Sequence, residues 1–99
     1  MPRVMFTITY TVKPESRDRY LQVVHELKAQ YASLGRSNYS VFEAKGKKGQ
    51  FTEVFLSSSL EEFDALEDIH DERIESLVQR LQEFVDKGGM KYSTLVEME

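Results

Sequence analysis

Glu53 stands in the middle of the stretch Phe51-Thr52-Glu53-Val54-Phe55. Strand side chains alternate between faces, so Phe51, Glu53 and Phe55 lie together. If helices cover that face, the carboxyl leaves water, its pKa rises, and it becomes a candidate acid or base. The plainer reading is a carboxylate at a solvated sheet rim, or one paired across an interface between two copies. Glu43 carries the same ambiguity. His70, flanked by Asp68, Asp71 and Glu72, is the second catalytic candidate. An imidazole oriented by a carboxylate can act as general base at a cavity mouth. Its plainer reading is polar chemistry at a helix end. No metal site is expected there, because adjacent helical residues point apart. His25 follows the apolar Val24 and reads as a solvent-edge histidine.

Tyr10, Tyr39 and Tyr92 are candidate ligand-binding residues, since each offers a hydroxyl on an alternating stretch. Packed core is the plainer role for such tyrosines. Pro2 raises a different chemistry. Removal of Met1 would leave a proline amine at the head of a strand, where an amine of low pKa can act as the general base of a tautomerase. Lys45, Lys47 and Lys48 cluster at a hairpin tip, a solvated turn on the plain reading. RNA-binding modules of similar topology place aromatics at fixed spacing after Lys-Gly on the third strand. Here Gln50 follows Lys48-Gly49, with Phe51 and Phe55 out of register.

The elements that position these residues belong to one short chain. Its 99 residues are 40% hydrophobic and 30% charged, with a net charge of −4. That composition fits a single globular domain over 1–99 and disfavours general nucleic-acid binding. There is no cysteine, which excludes disulfides and thiolate-built zinc sites. The start lacks a signal-peptide h-region and no apolar run is long enough to span a bilayer. A cytoplasmic protein without a membrane segment is the expectation.

Val4, Phe6, Ile8, Tyr10 and Val12 alternate with Met5, Thr7, Thr9 and Thr11, which predicts a first strand. Pro14 and Glu15 open a helix that runs to Leu34, with Tyr20, Leu21, Val24, Leu27, Tyr31 and Leu34 on its apolar face and Gly35 at its end. Asn38 to Lys45 and Phe51 to Ser57 form a hairpin around Gly46-Lys47-Lys48-Gly49. Ser59 and Glu62 make a capping box ahead of Leu60, Phe63 and Leu66. A break at 68–71 precedes a further helix carrying Ile74, Leu77, Val78, Leu81, Phe84 and Val85, which Gly88-Gly89 stops. Met90 to Met98 is the last strand.

The order βαββαβ, with right-handed crossovers, gives an α+β antiparallel sheet with the helices on one face. The opposite face still carries Phe, Met, Leu and Tyr among Thr and Ser, so a second copy is expected to cover it. At this point the chain resembles the ferredoxin-like dimeric α/β-barrel superfamily, and within it the antibiotic-biosynthesis-monooxygenase-like proteins. The resemblance rests on Tyr10-Thr11-Val12-Lys13-Pro14, Tyr39-Ser40-Val41-Phe42-Glu43, Phe51-Thr52-Glu53-Val54-Phe55 and Ser59-Leu60-Glu61-Glu62-Phe63. It implies a homodimer whose sheets face each other, with a cavity between each sheet and its helices. Substrate-oxidising members often carry a tryptophan near the end of the third strand, where this chain has Ser57. Related haem-degrading enzymes use Asn, Trp and His at positions that correspond here to Thr7, Ser57 and Ser76, which argues against haem degradation. Three readings follow: a homodimer that binds a small apolar or aromatic molecule or simply assembles, a cofactor-independent monooxygenase-like enzyme, and the Pro2 tautomerase. No cofactor is expected in any of them.

Overall fold

The computed structural model describes residues 2–36, 38–67 and 70–98. Strands β1 (Val4–Thr11), β2 (Tyr39–Glu43), β3 (Gln50–Ser57) and β4 (Lys91–Val96) form one antiparallel sheet in the order β2-β3-β1-β4. Helix α1 (Arg17–Ser33) makes the first crossover, and α2 (Leu60–Glu67) with α3 (Glu72–Glu83) make the second. This is the ferredoxin-like α+β arrangement expected from the sequence. The molecule measures 42 × 31 × 18 Å; the shortest dimension holds one sheet and one helical layer.

Register places the chemistry-bearing residues. Tyr10 lies opposite Phe51, Ile8 opposite Glu53 and Phe6 opposite Phe55. On the other side of β3, Tyr39 lies opposite Phe55 and Val41 opposite Glu53. The helices pack on this face. The core joins Tyr10, Val12, Tyr39 and Phe51 of the sheet to Tyr20, Val23 and Leu27 of α1 and to Ile74, Leu77 and Leu81 of α3.

Helix α1 follows a short turn at Pro14–Ser16, where proline costs no hydrogen bond. Its buried row is Tyr20, Val23 and Leu27, whereas Leu21 and Leu34 are exposed. Tyr20, Leu27 and Tyr31 of the expected face pack on the core with Val24 partly buried; Val23 joins them, while Leu21 and Leu34 fall outside, because the row 20, 23, 27, 31 meets the sheet. At the start of α2, the Glu62 amide donates to Ser59 Oγ at 3.2 Å. The Glu62 carboxylate reaches back to the Ser58 amide at 3.0 Å and to its hydroxyl, one residue earlier than a strict capping box. Helix α3 is capped by Asp71, whose Oδ1 accepts from the Ile74 amide at 2.9 Å. Gln30 of α1 donates to both Asp71 oxygens at 3.3 Å. Asp68, part of the expected break, lies outside the described residues.

Gly88-Gly89 does not stop α3, which ends at Glu83. The reason is competition from β1: Val85 bridges Val12, the Asp86 amide donates to the Thr11 carbonyl at 2.9 Å and the Lys13 amide to the Phe84 carbonyl at 2.9 Å. Gly46 and Gly49 at the hairpin tip take φ of 86° and 91°, which glycine adopts without strain.

The face away from the helices carries Met5, Thr7 and Thr9 of β1, Ser40 and Phe42 of β2, Thr52, Val54 and Leu56 of β3, and Leu95 of β4. Phe42 is 60% exposed and Leu95 53%. The tyrosine expected on this face is not found there: the strand tyrosines Tyr10, Tyr39 and Tyr92 all register with the helix-facing set, as expected for Tyr10. Strand β4 is exposed along its whole length, because the helices leave that edge uncovered.

Candidate ligand site

Glu53 is buried on the helix-facing side of the sheet and not at a solvated rim; it keeps 6% of its surface exposed. Tyr39 donates its hydroxyl to Glu53 Oε1 at 2.6 Å. The Tyr10 hydroxyl is a nearby buried polar group. It is itself 2.7 Å from the Tyr20 hydroxyl. No Lys or Arg pairs with Glu53 among the described residues. Burial therefore raises the Glu53 pKa, and the hydrogen bond from Tyr39 offsets only part of that rise. The phenols feel the reverse side of the same field. Desolvation and the neighbouring carboxylate push Tyr10, Tyr20 and Tyr39 well above the usual phenol range and Tyr31 up to about 12.

Beside this network lies a half-open cavity of about 270 Å³. The sheet supplies Phe6, Ile8 and Phe55, α1 supplies Tyr31, α2 supplies Phe63 and Leu66, and α3 supplies Ile74. Four of these seven are aromatic. Ile8 is the direct cross-strand neighbour of Glu53. The Tyr31 ring packs 4.9 Å from Tyr39 and 5.5 Å from Phe55. The wall of the cavity is therefore in contact with the residues that hold the carboxyl. An apolar cavity of roughly 150 Å³ holds benzene, so the volume here suits a larger aromatic body such as a fused bicycle.

A second cleft, of about 580 Å³, opens at the other end of the sheet, with Lys13, Arg17 and Lys48 at its rim. Arg17 is committed: its guanidinium donates to Glu43 at 2.6 and 2.8 Å and lies 5.5 Å above Phe51. Glu43 is exposed, and the Arg17 bond and the Gly49 amide hold its pKa down to about 2. It has none of the burial that distinguishes Glu53.

The structure brings Glu53, Tyr10 and Tyr39 together and leaves His70 and Tyr92 apart. His70 is exposed and does not line the cavity. Of its flanking acids, Asp71 spends its carboxylate on the α3 cap. Tyr92 is 61% exposed on the uncovered edge strand, its ring 6.1 Å from Phe6 and its hydroxyl donating to Met90 Sδ at 3.4 Å. Pro2 precedes β1 and does not line the cavity. Thr7, Ser57 and Ser76 do not converge either: Thr7 faces away from the helices, Ser57 is buried at the end of β3, and Ser76 is exposed on α3. Sequence reasoning missed Tyr20 and Tyr31 as parts of the site. Their spacing of eleven residues, three helical turns, was the available signal.

No protein-family model matches the chain, and a search of curated proteins finds no match. Solved structures do match. A Caulobacter crescentus CB15 protein, provisionally described as an antibiotic biosynthesis monooxygenase, superposes with a TM-score of 0.80 at 14% identity over 99% of this chain and 92% of that one. A conserved protein from Methanosarcina mazei Go1 gives 0.77 at 16% identity, over 96% and 92%. A variant of SnoaB, a cofactor-independent oxygenase from Streptomyces nogalater, gives 0.70 at 10% identity, over 94% and 90%. The chain thus has the ferredoxin-like fold of the antibiotic-biosynthesis-monooxygenase-like proteins over nearly its full length. No helix among the described residues is long and apolar enough to cross a membrane.

Proposed function

We propose that this protein is a homodimer that binds a small, largely apolar aromatic molecule between its sheet and its helices. The observation that supports this most is the aromatic cavity of about 270 Å³ set against a buried carboxyl. A cavity of this lining offers stacking and edge contacts to a flat ring system. The homodimer is supported by the helix-free face, where Phe42, Leu95 and Met5 are exposed beside Val54 and Leu56. A second copy packed sheet against sheet would take them from water. The test uses 2-naphthol as probe. Its fluorescence is followed on titration with the wild-type protein and with Leu66→Trp, which fills the cavity. The expected result is saturable binding that the substitution weakens at least about tenfold. Equal binding by both proteins would refute the site.

A second reading is favoured by one feature, an ionisable group directly behind the wall of an apolar cavity. A cofactor-independent, monooxygenase-like enzyme would use Glu53 to take or give a proton on the bound molecule. In that case Glu53→Gln abolishes turnover while leaving 2-naphthol binding and dimerisation in place. Loss of binding together with turnover would instead assign Glu53 to recognition.

A further inference from the structure

We infer that Tyr31 of α1 is the specificity-determining residue of the cavity, its hydroxyl selecting an uncharged aromatic alcohol or ketone over both a bare hydrocarbon and a carboxylate; this rests on the reading that the cavity is the ligand site. Of the seven side chains that line the cavity, six are hydrocarbon and the seventh is Tyr31. Other tyrosine hydroxyls are engaged: Tyr10 with Tyr20, Tyr39 with Glu53 and Tyr92 with Met90. Among the described residues the Tyr31 hydroxyl has no partner. Nor is it sealed away, since the buried side-chain atoms without a partner are Glu26 Oε2, Asn38 Oδ1 and Ser57 Oγ. Its ring is held from two sides, by Tyr39 at 4.9 Å and Phe55 at 5.5 Å, one turn of α1 after the buried Leu27. An aromatic molecule that enters the cavity therefore meets one fixed phenol among hydrocarbon side chains.

A ligand oxygen gives up water on entering such a space, and it weakens binding if it is left unpaired. A phenol both donates and accepts, so it can pair with a ligand hydroxyl or a ligand carbonyl. Tyr31 keeps the proton this requires: desolvation, then the Glu53 and Asp71 carboxyls, push its pKa up to about 12. A hydrocarbon of the same shape makes the aromatic contacts but leaves the Tyr31 hydroxyl unused.

A ligand carboxylate fares worse. No lysine, arginine or histidine lines the cavity among the described residues. Acids stand behind two parts of the wall instead. Glu53 lies opposite Ile8, and Asp71 Oδ1 accepts from the amide of Ile74 at 2.9 Å. The anion would lose its water with no cation to meet it.

The experiment compares naphthalene, 2-naphthol and 2-naphthoate at neutral pH by fluorescence titration of the wild type, Tyr31→Phe and Leu66→Trp. The wild type should bind 2-naphthol more tightly than naphthalene, and 2-naphthoate at least about tenfold more weakly than 2-naphthol. Tyr31→Phe keeps the ring and its packing. It should leave naphthalene affinity unchanged and lower the affinity ratio of 2-naphthol to naphthalene roughly three- to tenfold, the effect of one hydrogen bond. A ratio equal to that of the wild type would overturn the assignment, and so would 2-naphthoate bound as tightly as 2-naphthol. A purely structural role for Tyr31 would weaken naphthalene and 2-naphthol together, with the ratio intact, and would overturn it too. These three failures all occur with binding that Leu66→Trp weakens. If Leu66→Trp changes nothing, or no probe binds, the ligand site itself is refuted and the selectivity falls with it.

Discussion

Substituting Glu53 by Gln removes one titration from the folded protein and leaves almost everything else in place. The amide has the same shape, and its oxygen can still accept from Tyr39. The consequence is a stability difference that depends on pH in a defined direction. In the unfolded chain a glutamate ionises near 4.5, and in the folded protein the Glu53 pKa is raised by burial. Below the unfolded value both states hold the proton, and the stabilisation from the neutral carboxyl is complete. Above it, only the unfolded chain releases the proton, so wild-type stability declines until the pH passes the folded pKa. The slope in that window is about 1.4 kcal/mol per pH unit. As pH rises from 5 the wild type should therefore lose stability relative to Glu53→Gln until the folded pKa is passed. Urea denaturation followed by circular dichroism at pH 5, 6 and 7, with both proteins at one concentration, measures the difference directly. All other carboxylates cancel between the two proteins. A difference that stays flat across these pH values would show that Glu53 is ionised in the fold, and the electrostatic reasoning would be wrong.

Other outcomes follow from single contacts. Tyr39→Phe deletes the 2.6 Å hydrogen bond to Glu53 and should cost about 1–2 kcal/mol in urea denaturation, more at high pH than at low. Asp71→Ala removes the α3 cap and its link to Gln30; the expected loss is about 1 kcal/mol, read by thermal melting. Val54→Asp puts a charge at the centre of the helix-free face and should convert the proposed dimer into an 11.5 kDa particle in light scattering. A dimer that persists would remove that face from the interface. His70→Ala should bind 2-naphthol as the wild type does, since the imidazole is exposed and does not line the cavity.

The fold was legible because its signals are periodic. Val4 to Val12 alternates, and Ile74, Leu77 and Leu81 recur at helical spacing, so the strand and helix types followed. Boundaries were less legible where two partners compete for the same backbone, as at Val85, which leaves the helical register to bridge Val12. The site was legible in part. Glu53 between two phenylalanines announced an unusual carboxyl, but its burial depended on helices distant in sequence covering that face of the sheet, which no local pattern around Glu53 reports. His70 looked like a catalytic group because acids surround it, whereas capping a helix calls for the same acids. Tyr92 shares the alternation of Tyr10 and Tyr39, yet lies on an edge strand that no helix reaches. The Tyr10–Tyr20 contact joins residues ten apart in sequence but on different elements, and no local pattern reports it.

A crystal structure of the protein with 2-naphthol tests the central claim most directly. The account predicts the bicyclic ring among Phe6, Phe55, Phe63 and Tyr31, with Glu53 and Tyr39 still bonded behind it. Side chains collapsed into that space, with the probe bound elsewhere or absent at saturating concentration, would contradict it.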